Sequence, residues 1–169
     1  SCAQNCRLPY NLIDGNRETL LTSSHLLSIK DLNLTDQLPQ LIDAGITSFK
    51  IEGRLKDIVY VKNNVSFLRK KLDSFLEGNS QYEKASSGRT FFNFEPEMGR
   101  SFNRGYTDYF VNMRTQKIGS WDTPKSQGQY IGKFLGTKAN GYLIENYEQL
   151  NNGDGLYFIN AEGVADGLQ

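Results

Sequence analysis

Ile46-Thr-Ser-Phe-Lys-Ile-Glu-Gly-Arg54 is the stretch on which the reading of the chain turns. Ile46–Ile51 is β-branched and aromatic, which predicts a strand, and Gly53 ends it in a polar turn. Asp57 then stands where a helix N-cap belongs. Beyond it Val61, Val65, Leu68, Leu72, Phe75 and Leu76 recur at steps of three and four, the period of an amphipathic helix that Gly78 ends. Upstream, Thr35 or Asp36 can cap a shorter helix running through Ala44, with Pro39 in its first turn and Leu38, Leu41 and Ile42 on one face. Gly45 stops that helix. Ser24-His-Leu-Leu-Ser28 is a short apolar run ending in a polar turn. Strand and helix alternate, so this segment predicts βα units on a parallel sheet. Two such units cannot cover a parallel sheet on both faces, and an eight-unit barrel takes about 250 residues. The chain therefore reads as a piece of a longer protein or as one part of an assembly with another copy. Its opening on Ser1-Cys2, without a starting methionine, favours an excised piece.

Composition changes along the chain. Of 20 aromatic residues, 14 lie between Phe91 and Gln169. Between the two compositions runs Glu77-Gly-Asn-Ser-Gln-Tyr-Glu-Lys-Ala-Ser-Ser-Gly-Arg89, small and polar with no apolar period, as a linker reads. The expected organisation is residues 1–78 as the C-terminal part of an α/β barrel, 79–90 as linker, and 91–169 as a small β-barrel domain. In that last part Gln129–Leu135, Gly141–Glu145 and Gly155–Ile159 are short β-type runs divided by Gly- and Asn-rich turns, spaced as in a small antiparallel barrel. A final strand reads as cut off at Gln169. The predicted fold class is α/β plus β.

Charge excludes some functions. Lys and Arg number 19, as do Asp and Glu, and neither end of the chain is a basic arm or an acidic tail. A grip on nucleic acid by bulk charge alone is not expected. No apolar run approaches the roughly 18 residues of a membrane span, so no membrane partner is expected. The first six residues carry neither region of a signal peptide, and the chain is expected in the cytoplasm.

Three constellations could carry chemistry. Cys2 and Cys6 are the only cysteines, with three residues between them, a gap that suits two thiolates on one metal or cluster. A closed site takes about four ligands, and the single histidine, His25, would leave it open, so free reduced thiols are the plainer reading. Lys50-Ile-Glu-Gly-Arg54 puts Lys50 and Glu52 on one side of a strand's C-terminal end, with Arg54 in the βα loop beyond. In a parallel barrel that end is the catalytic face, and the three could bind a carboxylate or phosphate, Arg54 by a bidentate fork. A Lys50–Glu52 pair tying strand end to loop is the competing reading. Phe102-Asn-Arg-Gly-Tyr-Thr-Asp108 reads as a turn in which Asp108 could pair with Arg104, and Gly153-Asp-Gly155 as a tight turn.

Cys2-Ala-Gln-Asn-Cys6-Arg7-Leu-Pro-Tyr10, Leu27-Ser-Ile-Lys-Asp-Leu32, Leu41-Ile-Asp-Ala-Gly45, Phe49-Lys-Ile-Glu-Gly-Arg54 and Phe102-Asn-Arg-Gly-Tyr-Thr-Asp108 follow one another as in the collagenase-related peptidases. The chain resembles that family, number thirty-two of the peptidases of unknown catalytic type, through nearly its whole length. The resemblance implies the end of a TIM-like catalytic barrel followed by a β-domain, nearest in style to the ribosomal RNA hydroxylase branch. It implies, for the full-length protein, hydroxylation of a pyrimidine in ribosomal or transfer RNA with prephenate as a required metabolite. It also implies a 4Fe-4S cluster, for which Cys2 and Cys6 match the final pair of four cysteines; none is expected in the isolated fragment. Ile29 stands where many members have proline, a change of turn and not of ligand. The family name keeps a peptidase as one alternative, and a non-enzymatic module binding RNA or a partner is another.

Overall fold

The computed structural model describes residues 2–160 and 165–168. It begins with a hairpin that the expected βα alternation passes over. Strands β1 (Tyr10–Ile13) and β2 (Thr19–Ser24) pair antiparallel, Ile13 opposite Thr19 and Tyr10 opposite Ser24. Asp14-Gly15 between apolar runs is the local signal for such a turn. The Asp14 carboxylate fixes it by accepting from the amides of Asn16 and Glu18 at 2.9 and 2.8 Å. Ser24–Ser28 is thus the exit from β2, and Ser28 is fully buried.

A 3-10 turn, Thr35–Gln37, leads into α1 (Leu38–Asp43). Neither Thr35 nor Asp36 caps α1, because both lie in that turn; Thr35 instead gives its amide and hydroxyl to Asn33 Oδ1. Gly45 ends α1 as expected. At φ +91° it lets its own amide reach the Ile42 carbonyl at 2.8 Å and the Ile46 amide reach Leu41 at 3.0 Å, the paired bonds of a Schellman cap. The long helix α2 (Ile58–Glu77) is also as expected, with Asp57 Oδ1 accepting from the Tyr60 amide at 2.7 Å and Gly78 closing it.

Ile46–Ile51 is not a strand. It runs without joining a ladder among the described residues, and Ile46, Phe49 and Ile51 stay 41%, 40% and 43% exposed. β propensity alone does not make a strand; a parallel strand is held by neighbours. The parallel sheet expected of the first segment reduces to two residues each of β3 (Asp31–Leu32) and β4 (Tyr106–Thr107). The apolar stripe of α2 likewise opens outward at Val61 and Val65, while its buried residues are Asn64 and Ser66.

Residues 79–90 hold no helix or strand, though Tyr82 donates to Asp43 Oδ1 at 2.8 Å and Lys84 pairs with Asp73 at 2.8 Å. The later strands fall close to their expected places: β5 (Gly132–Lys138), β6 (Gly141–Asn146), β7 (Leu156–Ile159) and β8 (Ala165–Leu168); Gln169 lies outside the described residues. They form two separate antiparallel pairs, β5–β6 and β7–β8, and not the expected barrel. Closure gives every strand two neighbours, and each of these has one. Gly132 is required by contact: a Cβ there would lie 1.9 Å from the Glu145 carbonyl oxygen. Phe134 stacks on Phe158 across the pairs, with centroids 4.3 Å apart. The fold is therefore mixed α/β with small antiparallel sheets and no closed barrel among the described residues. No helix there is long and apolar enough to cross a membrane.

What joins the segments on either side of residues 79–90 is polar. Leu38 is the one buried hydrophobic side chain among the described residues; Ser28, Asn64, Asn103 and Ser120 are buried more completely. Asn63 of α2 donates to the Glu97 carbonyl and Ser101 Oγ, and accepts from the Glu97 amide. Asn103 donates to the carbonyls of Gly99 and Ser101 and accepts from the Gly105 amide. The part-buried amide of Asn63 and the buried amide of Asn103 are tolerated because they are paired.

Candidate functional site

Three short motifs, far apart in sequence, meet on this polar seam. Asp31 ends the first, and its carboxylate takes Arg104 twice, from Nη1 at 2.9 Å and from the backbone amide at 2.8 Å. Arg104 Nε also donates to the Pro124 carbonyl at 3.0 Å, so the guanidinium is fixed in plane. Arg104 thus pairs with Asp31, not with Asp108, whose carboxylate accepts from Asn112. The third motif is the Gly53–Lys56 loop ahead of α2. Leu55 there adopts φ +62°, the Lys56 amide returns to the Gly53 carbonyl at 3.1 Å, and a Cβ at Gly53 would touch the Tyr60 ring at 3.6 Å.

Phe102 is the centre of the meeting. Lys56 Nζ lies 2.9 Å from its ring centroid and 5.7 Å from that of Tyr60, while the Arg104 guanidinium lies 4.7 Å from Phe102. A cation over a ring face is attracted by its quadrupole. Burial pushes the Lys56 ammonium below its ordinary pKa, and Arg104 and Arg7 push the same way against Asp31 and Asp57. Tyr106 donates to the Met98 carbonyl at 3.0 Å, and its pKa is pushed up to about 12 by burial, then by Tyr60 and Asp31. Burial and Asp31 also raise Tyr60.

The residues singled out in sequence sit differently. Lys50 and Glu52 come together at 2.9 Å with side chains 84% and 75% exposed, a pair worth little in water. The Glu52 hydrogen bond, with its charge, raises the Lys50 pKa. Arg54 is exposed and makes no ion pair among the described residues. Lys56, two residues on, is the cation the fold carries inward. Asp31, Arg7 and Tyr60 likewise do not stand out as site residues by type and spacing. Lys30-Asp31 and Asn103-Arg104 stood among the quoted motifs, but pairing across 73 residues leaves no mark in one sequence.

Cys2 and Cys6 are both exposed and unbridged, at a turn whose 3-10 part is Asn5–Arg7, and Cys2 Sγ accepts from the Gln4 amide at 3.4 Å. Arg7 binds that turn to the seam: Nη1 donates to Ser28 Oγ at 2.8 Å and to the Ile29 carbonyl at 3.1 Å. His25 Nδ1 lies 2.9 Å from the Arg7 carbonyl. No group of three or more His, Cys, Asp or Glu side chains placed to hold a metal occurs among the described residues.

The model of peptidase family U32 matches residues 1–120, more than half the sequence. The chain belongs to peptidase family U32. Within the family it is 46% identical over 155 residues, 92% of this chain, to a 23S rRNA 5-hydroxycytidine synthase of Escherichia coli. It is 30% identical over 139 residues, 79% of the chain, to a collagenase of Porphyromonas gingivalis. It is 41% identical over 80 residues, 44% of the chain, to a tRNA hydroxylation protein of Bacillus subtilis. The chain spans 24%, 36% and 19% of those U32 relatives' own lengths. No solved structure gives a significant match. For the 4Fe-4S cluster implied by the family, the exposed, unbridged thiols of Cys2 and Cys6 fit as two ligands of a four-thiolate set, and the described residues do not complete it.

Proposed function

We propose that the full-length protein to which this chain belongs hydroxylates a pyrimidine of ribosomal RNA, with a cytidine as the first choice. The observation that carries this reading is the 46% identity, over 92% of the chain, to a ribosomal RNA 5-hydroxycytidine synthase. The seam agrees with it, since cations interleaved with aromatic rings are the chemistry that holds single-stranded nucleic acid. In this reading Cys2 and Cys6 hold two corners of a four-iron cluster, which when bound supplies electron transfer. Prephenate is the required small metabolite, and the protein works in the cytoplasm. Arg54, with the Lys50–Glu52 pair beside it, forms the exposed rim of the substrate site.

Mass spectrometry of ribosomal RNA from cells lacking the full gene tests this. A hydroxylated cytidine should vanish and return with the wild-type gene, but not with Cys2→Ala or Cys6→Ala, whose purified anaerobic proteins should also lose iron. Unchanged RNA in the deletion sinks the reading. Gelatin cleavage lost at the same time would favour peptidase chemistry, as the name of the Porphyromonas relative suggests.

A further inference from the structure

We propose that Lys56, with Arg7 behind it, binds a phosphate of the RNA backbone against the Phe102 ring. This inference rests on the RNA reading above and adds to it a position and a ligand group.

Lys56 and Arg104 lie over Phe102, and Arg7 is close enough to act on the Lys56 charge; Asp31 and Asp57 are the acids that act on Lys56. Asp31 is occupied by Arg104, through the side chain and the backbone amide. Asp57 is occupied at the start of α2, where it accepts from the Tyr60 amide. Arg7 donates to a serine hydroxyl and a backbone carbonyl, both neutral. Lys56 has only the faces of Phe102 and Tyr60 and makes no ion pair among the described residues. Two cations are thus left without a carboxylate on a partly covered surface, and a cation moved out of water is costly unless paired.

The geometry also says which anion. The two cations come from different segments, the turn before β1 and the loop before α2, so an oxyanion with several acceptor oxygens can meet both. The exposed start of a 20-residue helix adds amide dipoles of the same sign. Cations interleaved with the Phe102 and Tyr60 rings suit a polynucleotide. Burial first, then Arg104, lowers the Lys56 pKa, with Asp31 and Asp57 acting against them.

The test uses the full-length protein and a fluorescein-labelled single-stranded RNA oligonucleotide containing the target cytidine. Lys56→Met keeps the alkyl stem on Phe102 and removes the charge. Affinity should fall about tenfold at low salt, and the slope of log Kd against log salt should flatten by about 0.7, the share of one phosphate on a single strand. Lys56→Arg should keep the slope. Should Lys56→Met not fold, Lys56→Gln against Lys56→Arg makes the same comparison. Unchanged affinity and slope in a folded, uncharged variant overturn the site, as does a variant that loses melting temperature alone. An uncharged variant that binds RNA normally but modifies it poorly overturns it too, and assigns Lys56 to a small anion. If the wild-type protein neither binds RNA nor restores the modified cytidine, the RNA reading itself has failed.

Discussion

Asn103 is 2% exposed with its amide nitrogen and oxygen all bonded, whereas Phe49 and Ile51 stand 40% and 43% exposed in a stretch composed like a strand. The seam and this apolar shelf lie in one chain and follow opposite rules. In the seam, polar side chains are covered because backbone groups from Gly99, Ser101 and Gly105 converge on them. On the shelf, apolar side chains remain open because no second strand lies beside them. Burial here tracks whether a partner is present, not hydrophobicity alone. The seam also fixes positions to within a hydrogen bond, which is why the cations and rings of the candidate site gather there.

Asn103→Ala is the most severe way to break the comparison. It leaves three part-buried backbone groups without their side-chain partner, at about 1 kcal/mol each, so a loss of about 3 kcal/mol is expected. Urea unfolding of the 169-residue chain measures it. A loss under about 1 kcal/mol would mean that the seam is not what holds the two segments together.

Tyr106 comes next. Its pKa, raised to about 12 from an ordinary 10.0, contributes stability that is complete below pH 10 and is lost as pH rises toward 12, because the unfolded phenol ionises first. After allowance for partial exposure the effect is about 1–2 kcal/mol. Tyr106→Phe should lose only one neutral hydrogen bond at pH 7, about 1 kcal/mol, and should flatten the alkaline limb. Chemical unfolding at pH 7 and at several values above pH 10 gives both numbers. An unchanged alkaline limb in the variant would remove Tyr106 from the seam's energetics.

How much of this was legible in the sequence follows from range. Helix α2, its Asp57 cap, the Gly45 stop and the β5–β7 strands rest on residues within a few positions of one another, and a local pattern finds them. The Ile46–Ile51 strand failed because pairing depends on neighbours that composition does not name. The Lys56–Phe102 cluster was illegible for the same reason. Cys2, Cys6, Lys50, Glu52 and Arg54 attract notice by type and spacing, while Lys56 matters only because Phe102, 46 residues on, comes to lie under it. The Asp14-Gly15 hairpin is different, since its signal was local and the expectation of βα units hid it.

Limited proteolysis probes the ground between seam and shelf. Residues 79–90 are without helix or strand and mostly exposed, so the first cut should fall there. The nicked halves should still travel together on gel filtration, because β3–β4, Asp31–Arg104 and Asn63–Ser101 all cross the cut. Halves that separate at once would mean that those contacts are too weak to act as the seam. A first cut inside α2 would place the weak point in the helix and not in the linker.

The smallest expected effect lies at Leu55, where shelf and site adjoin. Leu55 is 82% exposed and held at φ +62°, a region that costs an ordinary L-residue about 1 kcal/mol and that asparagine tolerates better. Leu55→Asn gives up little apolar burial and relieves backbone strain. In the 169-residue chain it should leave stability unchanged or raise it, by no more than about 1 kcal/mol. The same substitution in the full-length protein sharpens the contrast. If Leu55 is open to water there too, the two measurements agree. If more chain covers this surface, Leu55→Asn buries an amide and costs more than about 1 kcal/mol in the longer protein alone. Differential scanning calorimetry on both lengths reads the difference, and a cost already present in the short chain would show that Leu55 packs in a way its exposure does not reveal.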